Sequence, residues 1–150
     1  MSREFLDDRE LLERFEGAEL SEDCWDHRAH VRVAFQYLRR LGLERALPEM
    51  RAKIRGFNER IGIPNTDRRG YHETVTVAFL VLIDHAMQGE EAGSKSESSR
   101  DFCDRHPELL GSGVLGEFYS NERLGDPEGR RVFLAPDRKP LPGDRAPLGR

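Results

Sequence analysis

Lysine is scarce in this chain. Lys53, Lys95 and Lys139 are its only lysines among 24 basic residues, so arginine supplies the other 21. Two readings fit that ratio: biased codon use in a GC-rich genome, or a surface that recognises anions through the planar guanidinium fork. Cysteine is scarcer still. Cys24 and Cys103 are too few for a disulfide scaffold and fit a reducing cytosol, so a cytoplasmic protein is expected. Long hydrophobic runs are missing. The longest, residues 75–83, is interrupted by Thr76 and falls well short of the about 20 residues that span a membrane. Residues 1–8 carry acidic side chains where a secretory leader needs an apolar stretch, so no leader is expected. No Walker loop, GxGxxG, GxSxG, HExxH or CxxC motif occurs.

What is present suits one soluble domain. The chain has 150 residues, 37% of them hydrophobic, with a mean hydropathy of −0.71. At this length a fold still buries roughly 70% of its unfolded surface. The net charge of −4 hides a segregation: residues 1–26 carry −7, residues 27–70 carry +7 and residues 71–150 carry −4. The basic block could bind phosphates. The alternative, favoured here, is that an acidic first helix lies against a basic second and third. No groove-reading motif or aromatic RNA-binding signature accompanies the arginines, so nucleic acid is the least favoured partner.

The apolar periodicity is helical nearly throughout. A short amphipathic helix is expected over residues 9–15, with Leu11, Leu12 and Phe15 inward and Gly17 ending it. Ser21 or Asp23 could cap a second helix running to about Leu41. Its stripe is Val31, Ala34, Leu38 and Leu41, with Arg28, Arg32 and Arg39 on the other side. A third helix spans about 43–61, beginning or kinking near Pro48. Residues 62–70 form a loop of turn residues. Residues 71–85 fit a strand or a buried helix, and their length favours a helix ending near Gly89. Residues 88–99 have linker composition and are expected to form a mobile loop. A helix over about 99–110 and short pieces near 114–119 and 126–128 follow. The prolines at 136, 140, 142 and 147 preclude a regular helix. The expected fold is therefore all-α: a bundle of four main helices plus short C-terminal helices. It forms a single domain over 1–135, with an extended or disordered tail over 136–150.

The chemistry-bearing residues gather in two places. His27 and His30 stand at i and i+3 on the second helix, about 60° apart in projection, and both face the apolar stripe. Tyr71, His72 and Glu73 open the most apolar segment, and His72 lines up with Thr76, Phe79 and Ile83. With one intervening helix returning the chain, the second and fourth helices run parallel, so both groups fall at one end of the bundle. Three imidazoles and a carboxylate there would suit a divalent transition metal such as Zn, Fe, Mn or Cu. Glu73 would then act as ligand, general base or acceptor from a ligating imidazole, and Tyr71 as proton donor or anion binder. The alternative is a buried hydrogen-bonded network with no metal. His85, about 220° around the helix from His72, cannot join it. His106 is expected to be exposed at a helix end. Cys24 drifts off the histidine face and is expected to be a small core residue.

At His27-Arg-Ala-His30 running on to Tyr37-Leu38, and at Gly70-Tyr-His-Glu-Thr74, the chain resembles a group of small bacterial helical proteins. These pair an HRxHLxxAxxYL-like helix with a YHET-like segment and close on an RxFxxPD-like stretch, similar to Arg131–Asp137 here. The resemblance spans about residues 10–140. It marks His27, His30, His72 and Glu73, leaves Cys24 and His106 unmarked, and brings no activity with it. Three functions are thus expected in order: a metal-dependent enzyme acting on a small molecule, hydrolytic or oxidative; a non-catalytic binding or interaction module; and nucleic-acid binding by residues 27–70.

Overall fold

The computed structural model describes residues 6–143, which are all-helical, without a strand. Asp7 accepts the Glu10 amide hydrogen at 2.8 Å and starts α1 (Asp8–Glu16), which buries Leu11, Leu12 and Phe15. The next helix starts later than its polar residues suggest. Ser21 makes no side-chain cap, and the chain instead takes a short 3-10 turn at Glu22–Cys24. Trp25 leaves helical register to stack on Phe15, ring centroids 4.6 Å apart, and to meet Phe57 at 5.1 Å. Only then does Asp26, accepting the Ala29 amide hydrogen at 3.0 Å, cap α2 (His27–Leu41). Burying an indole and two phenyl rings in one stack contributes several kcal/mol, at about 1.5–3 kcal/mol per large side chain. A cap shifted by a few residues costs about 1 kcal/mol, so the stack decides the boundary.

Gly42 (φ 79°) turns the chain directly into α3 (Leu43–Arg60). Pro48 lies inside this helix rather than at its start. The loop that follows is stapled by Asn65. Its side-chain oxygen accepts from Asn58 and from the Tyr71 amide, both at 3.0 Å, while its amide donates to the Arg55 carbonyl at 3.1 Å. Gly70 (φ 87°) is required here, because a Cβ would sit 2.3 Å from the Pro64 carbonyl oxygen. Residues 73–88 are helix α4 (Glu73–Gln88), despite the strand-like Val75-Thr76-Val77.

The helix expected over 99–110 ends early, as α5 (Ser99–Arg105). Pro107 bars the α conformation from His106, which takes φ −129° and ψ 60°. Two 3-10 turns follow, Pro107–Leu110 and Ser112–Glu117, then α6 (Asn121–Leu124) and α7 (Glu128–Arg131). Residues 88–99 close on themselves: the half-buried Glu90 carboxylate accepts from the Ser96 amide and hydroxyl and meets His106 Nε2 at 2.8 Å. His106 is accordingly half-buried against Phe102, not exposed.

α2 is the hub, packed on α1, α3, α4 and α5. This corrects one expectation about its outer face. Arg32 is 1% exposed, because α5 covers that side. Its Nε donates to Ser99 Oγ at 2.7 Å, and its Nη2 to the Leu6 carbonyl at 2.8 Å and to Asp8 at 3.4 Å. Asp8 also meets Arg39 at 3.7 Å, so the acidic first helix pairs with the basic second. Among the described residues, no helix is long and apolar enough to cross a membrane.

Residues 136–143 are non-helical but held: Asp137 accepts from the Ser120 amide and hydroxyl, and the Arg138 amide donates to the Phe118 carbonyl. The remainder of the expected tail, 144–150, lies outside the described residues.

Candidate functional site

The N-terminal turns of α2 and α4 meet at one end of the bundle, against the C-terminal half of α3. Between them lies a cavity of about 470 Å³, within the roughly 300–1,000 Å³ typical of small-molecule sites. Its walls are largely apolar, from Trp25, Val31, Met50, Ile54, Phe79, Leu80 and Ile83. His27, His30, His72 and Tyr71 all line it; Glu73 does not.

Two of the three histidines act as struts. His27 Nε2 lies 2.8 Å from the Leu109 carbonyl oxygen. A carbonyl only accepts, so this nitrogen carries the proton, and the ring packs edge-on against Phe79 at 4.6 Å. His72 precedes α4 instead of lying in it. Its Nδ1 accepts the Val75 amide hydrogen at 3.2 Å, capping the helix, and its Nε2 donates to the Leu124 carbonyl at 3.3 Å. Both nitrogens are spent, and burial holds the ring's pKa below the ordinary histidine value. Thr74, two residues on, accepts from the Leu134 amide at 3.1 Å and donates to the Gly129 carbonyl at 2.7 Å. Together these side chains fasten the C-terminal third of the chain to the N-terminal ends of α2 and α4.

Glu73 is held from the other side. Arg51 Nε and Nη2 clasp its two oxygens at 2.9 and 2.6 Å, and the Tyr71 hydroxyl donates to Oε1 at 2.6 Å. Burial pushes the carboxyl pKa up, but the Arg51 and Tyr71 hydrogen bonds outweigh it and hold it below the usual range. Burial and the adjacent carboxylate raise the Tyr71 phenol. A carboxylate with three strong donors is a weak base, and a phenol bonded to it is a weak acid. Arg51 was not singled out in the sequence. The available signal was the demand itself: a carboxylate opening an apolar helix needs a cation, and Arg51 and Arg55 stand one turn apart on α3.

His30 is different. Its Nε2 atom is buried without a hydrogen-bond partner, although the ring lines the cavity. Trp25 holds it edge-on, centroids 3.9 Å apart at 85°. Burial, and secondarily the neighbouring His27, push its pKa down to about 3, so the ring is neutral at physiological pH. An unpaired buried polar atom costs about 1–3 kcal/mol.

The sequence-derived residues therefore share one place but not one task. Among the described residues, no three His, Cys, Asp or Glu side chains are grouped so as to hold a metal ion. Cys24 is half-buried in the core edge and Cys103 is buried. In comparisons with known proteins, no family model, curated protein or solved structure matches the chain.

Proposed function

We propose that the protein binds a small molecule in the cavity between α2, α3 and α4, with His30 as the polar anchor. One observation carries this reading: a largely apolar 470 Å³ cavity, one of whose lining residues, His30, keeps a buried ring nitrogen without a hydrogen-bond partner. A ligand that pairs with it recovers a hydrogen bond the free protein forgoes. His30 serves better as a hydrogen-bonding group than as a general base, because an imidazole with a pKa of about 3 has little proton affinity to offer at neutral pH. The test is a ligand-observed NMR fragment screen on the parent and on an Ala34→Trp variant, which obstructs the cavity. Fragments bound by the parent and lost or clearly weakened in the folded variant support the reading. Binding unchanged in the folded variant overturns it.

A second reading, a metal-dependent enzyme using Zn, Fe, Mn or Cu, draws on the presence of His27, His30 and His72 on one cavity wall. It requires His72 to release one of its two backbone partners and rotate, and Glu73 to leave Arg51 before acting as ligand or base. Elemental analysis of untagged protein after anaerobic reconstitution decides it. Near-stoichiometric metal, abolished by the His27→Ala, His72→Ala double substitution, supports it, and negligible metal in the parent rejects it.

A further inference from the structure

We infer that the ligand of this cavity is an uncharged, largely apolar molecule bearing a hydroxyl group, and that carboxylic acids of the same shape are turned away. This deepens the small-molecule reading and rests on it. The first argument is charge. Among the described residues, no arginine or lysine lines the cavity, rich as the chain is in arginine. Its carboxylates are Glu22, exposed, and Asp26. Nearby arginines are turned elsewhere, Arg51 to Glu73, Arg55 across the Tyr71 ring at 5.4 Å and Arg130 to the Gly70 carbonyl at 3.1 Å. The N-terminus of α2 would ordinarily attract an anion, but the Asp26 carboxylate already occupies it by accepting the Ala29 amide hydrogen. A carboxylate ligand would enter beside two like charges with no cation to meet it, at a cost set by desolvation.

The second argument is hydrogen-bond inventory. The polar groups along the wall are mostly committed: His27 to Leu109, His72 to Val75 and Leu124, the Tyr71 hydroxyl to Glu73, and the Asn58 amide to Asn65. Among the described residues that line the cavity, His30 is the one with a buried side-chain nitrogen, Nε2, left without a partner. In a neutral imidazole this nitrogen is a donor in one tautomer and an acceptor in the other. A hydroxyl complements both, a carbonyl only one, and a hydrocarbon neither. Nε2 is buried and Trp25 packs edge-on against the ring, so a ligand reaches this nitrogen only by easing that contact, and only a group that pairs with it recovers the cost.

Trp25 is the chain's single tryptophan and lines the cavity, so its fluorescence reports occupancy directly. The probes are three saturated bicycles, transparent where tryptophan absorbs: decahydro-2-naphthol, decalin and decahydro-2-naphthoate. The expected order places the alcohol about fivefold tighter than the hydrocarbon, one hydrogen bond's worth, and about tenfold or more tighter than the carboxylate. His30→Phe should erase the alcohol's advantage while decalin still binds. Glu22→Lys, at an exposed position, should raise carboxylate affinity several-fold and leave the alcohol unchanged. If circular dichroism finds His30→Phe unfolded, the parent ranking and Glu22→Lys decide. A carboxylate that binds as tightly as the alcohol, or an alcohol no tighter than decalin, overturns the ligand class while leaving a binding site in place. If none of the three binds, the small-molecule reading falls with it.

Discussion

Arg51, midway along α3, grips both oxygens of Glu73 at the first position of α4, with contacts of 2.9 and 2.6 Å. The pair ties the start of α4 to the middle of α3. It also draws the carboxylate off the cavity wall, so the YHET-like segment divides its work: Glu73 faces α3, while His72 and Thr74 face the C-terminal chain.

Removing the cation leaves a buried charge behind. The Glu73 side chain is 6% exposed and that of Arg51 31%, so the pair is only partly sheltered. Arg51→Met should cost about 2–4 kcal/mol in urea denaturation at neutral pH. In the parent, the depressed Glu73 pKa gives stability that is present above the unfolded carboxylate value, about 4.3, and is lost as pH falls through the folded value. Without Arg51, burial raises that pKa, so acid relieves the variant. The gap between parent and variant should narrow below about pH 4; a gap that stays constant with pH would contradict the ion-pair account.

His30 predicts a different acid limb. Its folded pKa of about 3 lies below the unfolded value of about 6.5, so the unfolded chain binds the proton first. Stability is therefore full above about pH 6.5 and declines as pH falls toward 3, by up to about 1.4 kcal/mol per pH unit from this residue. His72, also lowered, adds to the slope. Denaturation midpoints between pH 7 and 4 should show the decline, and His30→Phe should flatten part of it. An NMR titration showing the His30 ring protonating near pH 6.5 would refute the assignment.

At His72 the ring's two bonds can be separated. His72→Ala removes both the α4 cap and the bond to Leu124 and should cost about 1–2 kcal/mol. His72→Asn supplies a capping oxygen for the Val75 amide and should recover about half of that. Equal losses in the two variants, measured by chemical denaturation, would show that the cap contributes nothing.

The bundle was largely legible in the chain. Apolar spacing of three and four located α2, α3 and α4, and the single returning helix α3 placed the N-terminal turns of α2 and α4 together. The cavity at that end follows from this topology. The exact starts of helices were less legible. Ser21 and Asp23 have the right chemistry for a cap, but Trp25 gains more by packing on Phe15 and Phe57 than the chain gains by starting early. Projection also failed for Arg32, since a wheel describes one helix and does not know that α5 will lie across its polar face.

Local pattern by itself determined that this chain is helical, where its apolar faces run, and that His27, His30, His72 and Tyr71 come to one place. Those properties arise from periodicity and connection length, which act along the chain. Only the tertiary structure decided how each polar group is satisfied. The carbonyls of Leu109 and Leu124 and the guanidinium of Arg51 lie 82, 52 and 22 residues from their partners. A buried polar group takes whichever partner the packing delivers. His27, His72 and Glu73 were given partners, and His30, beside the cavity, was left with an unpaired nitrogen.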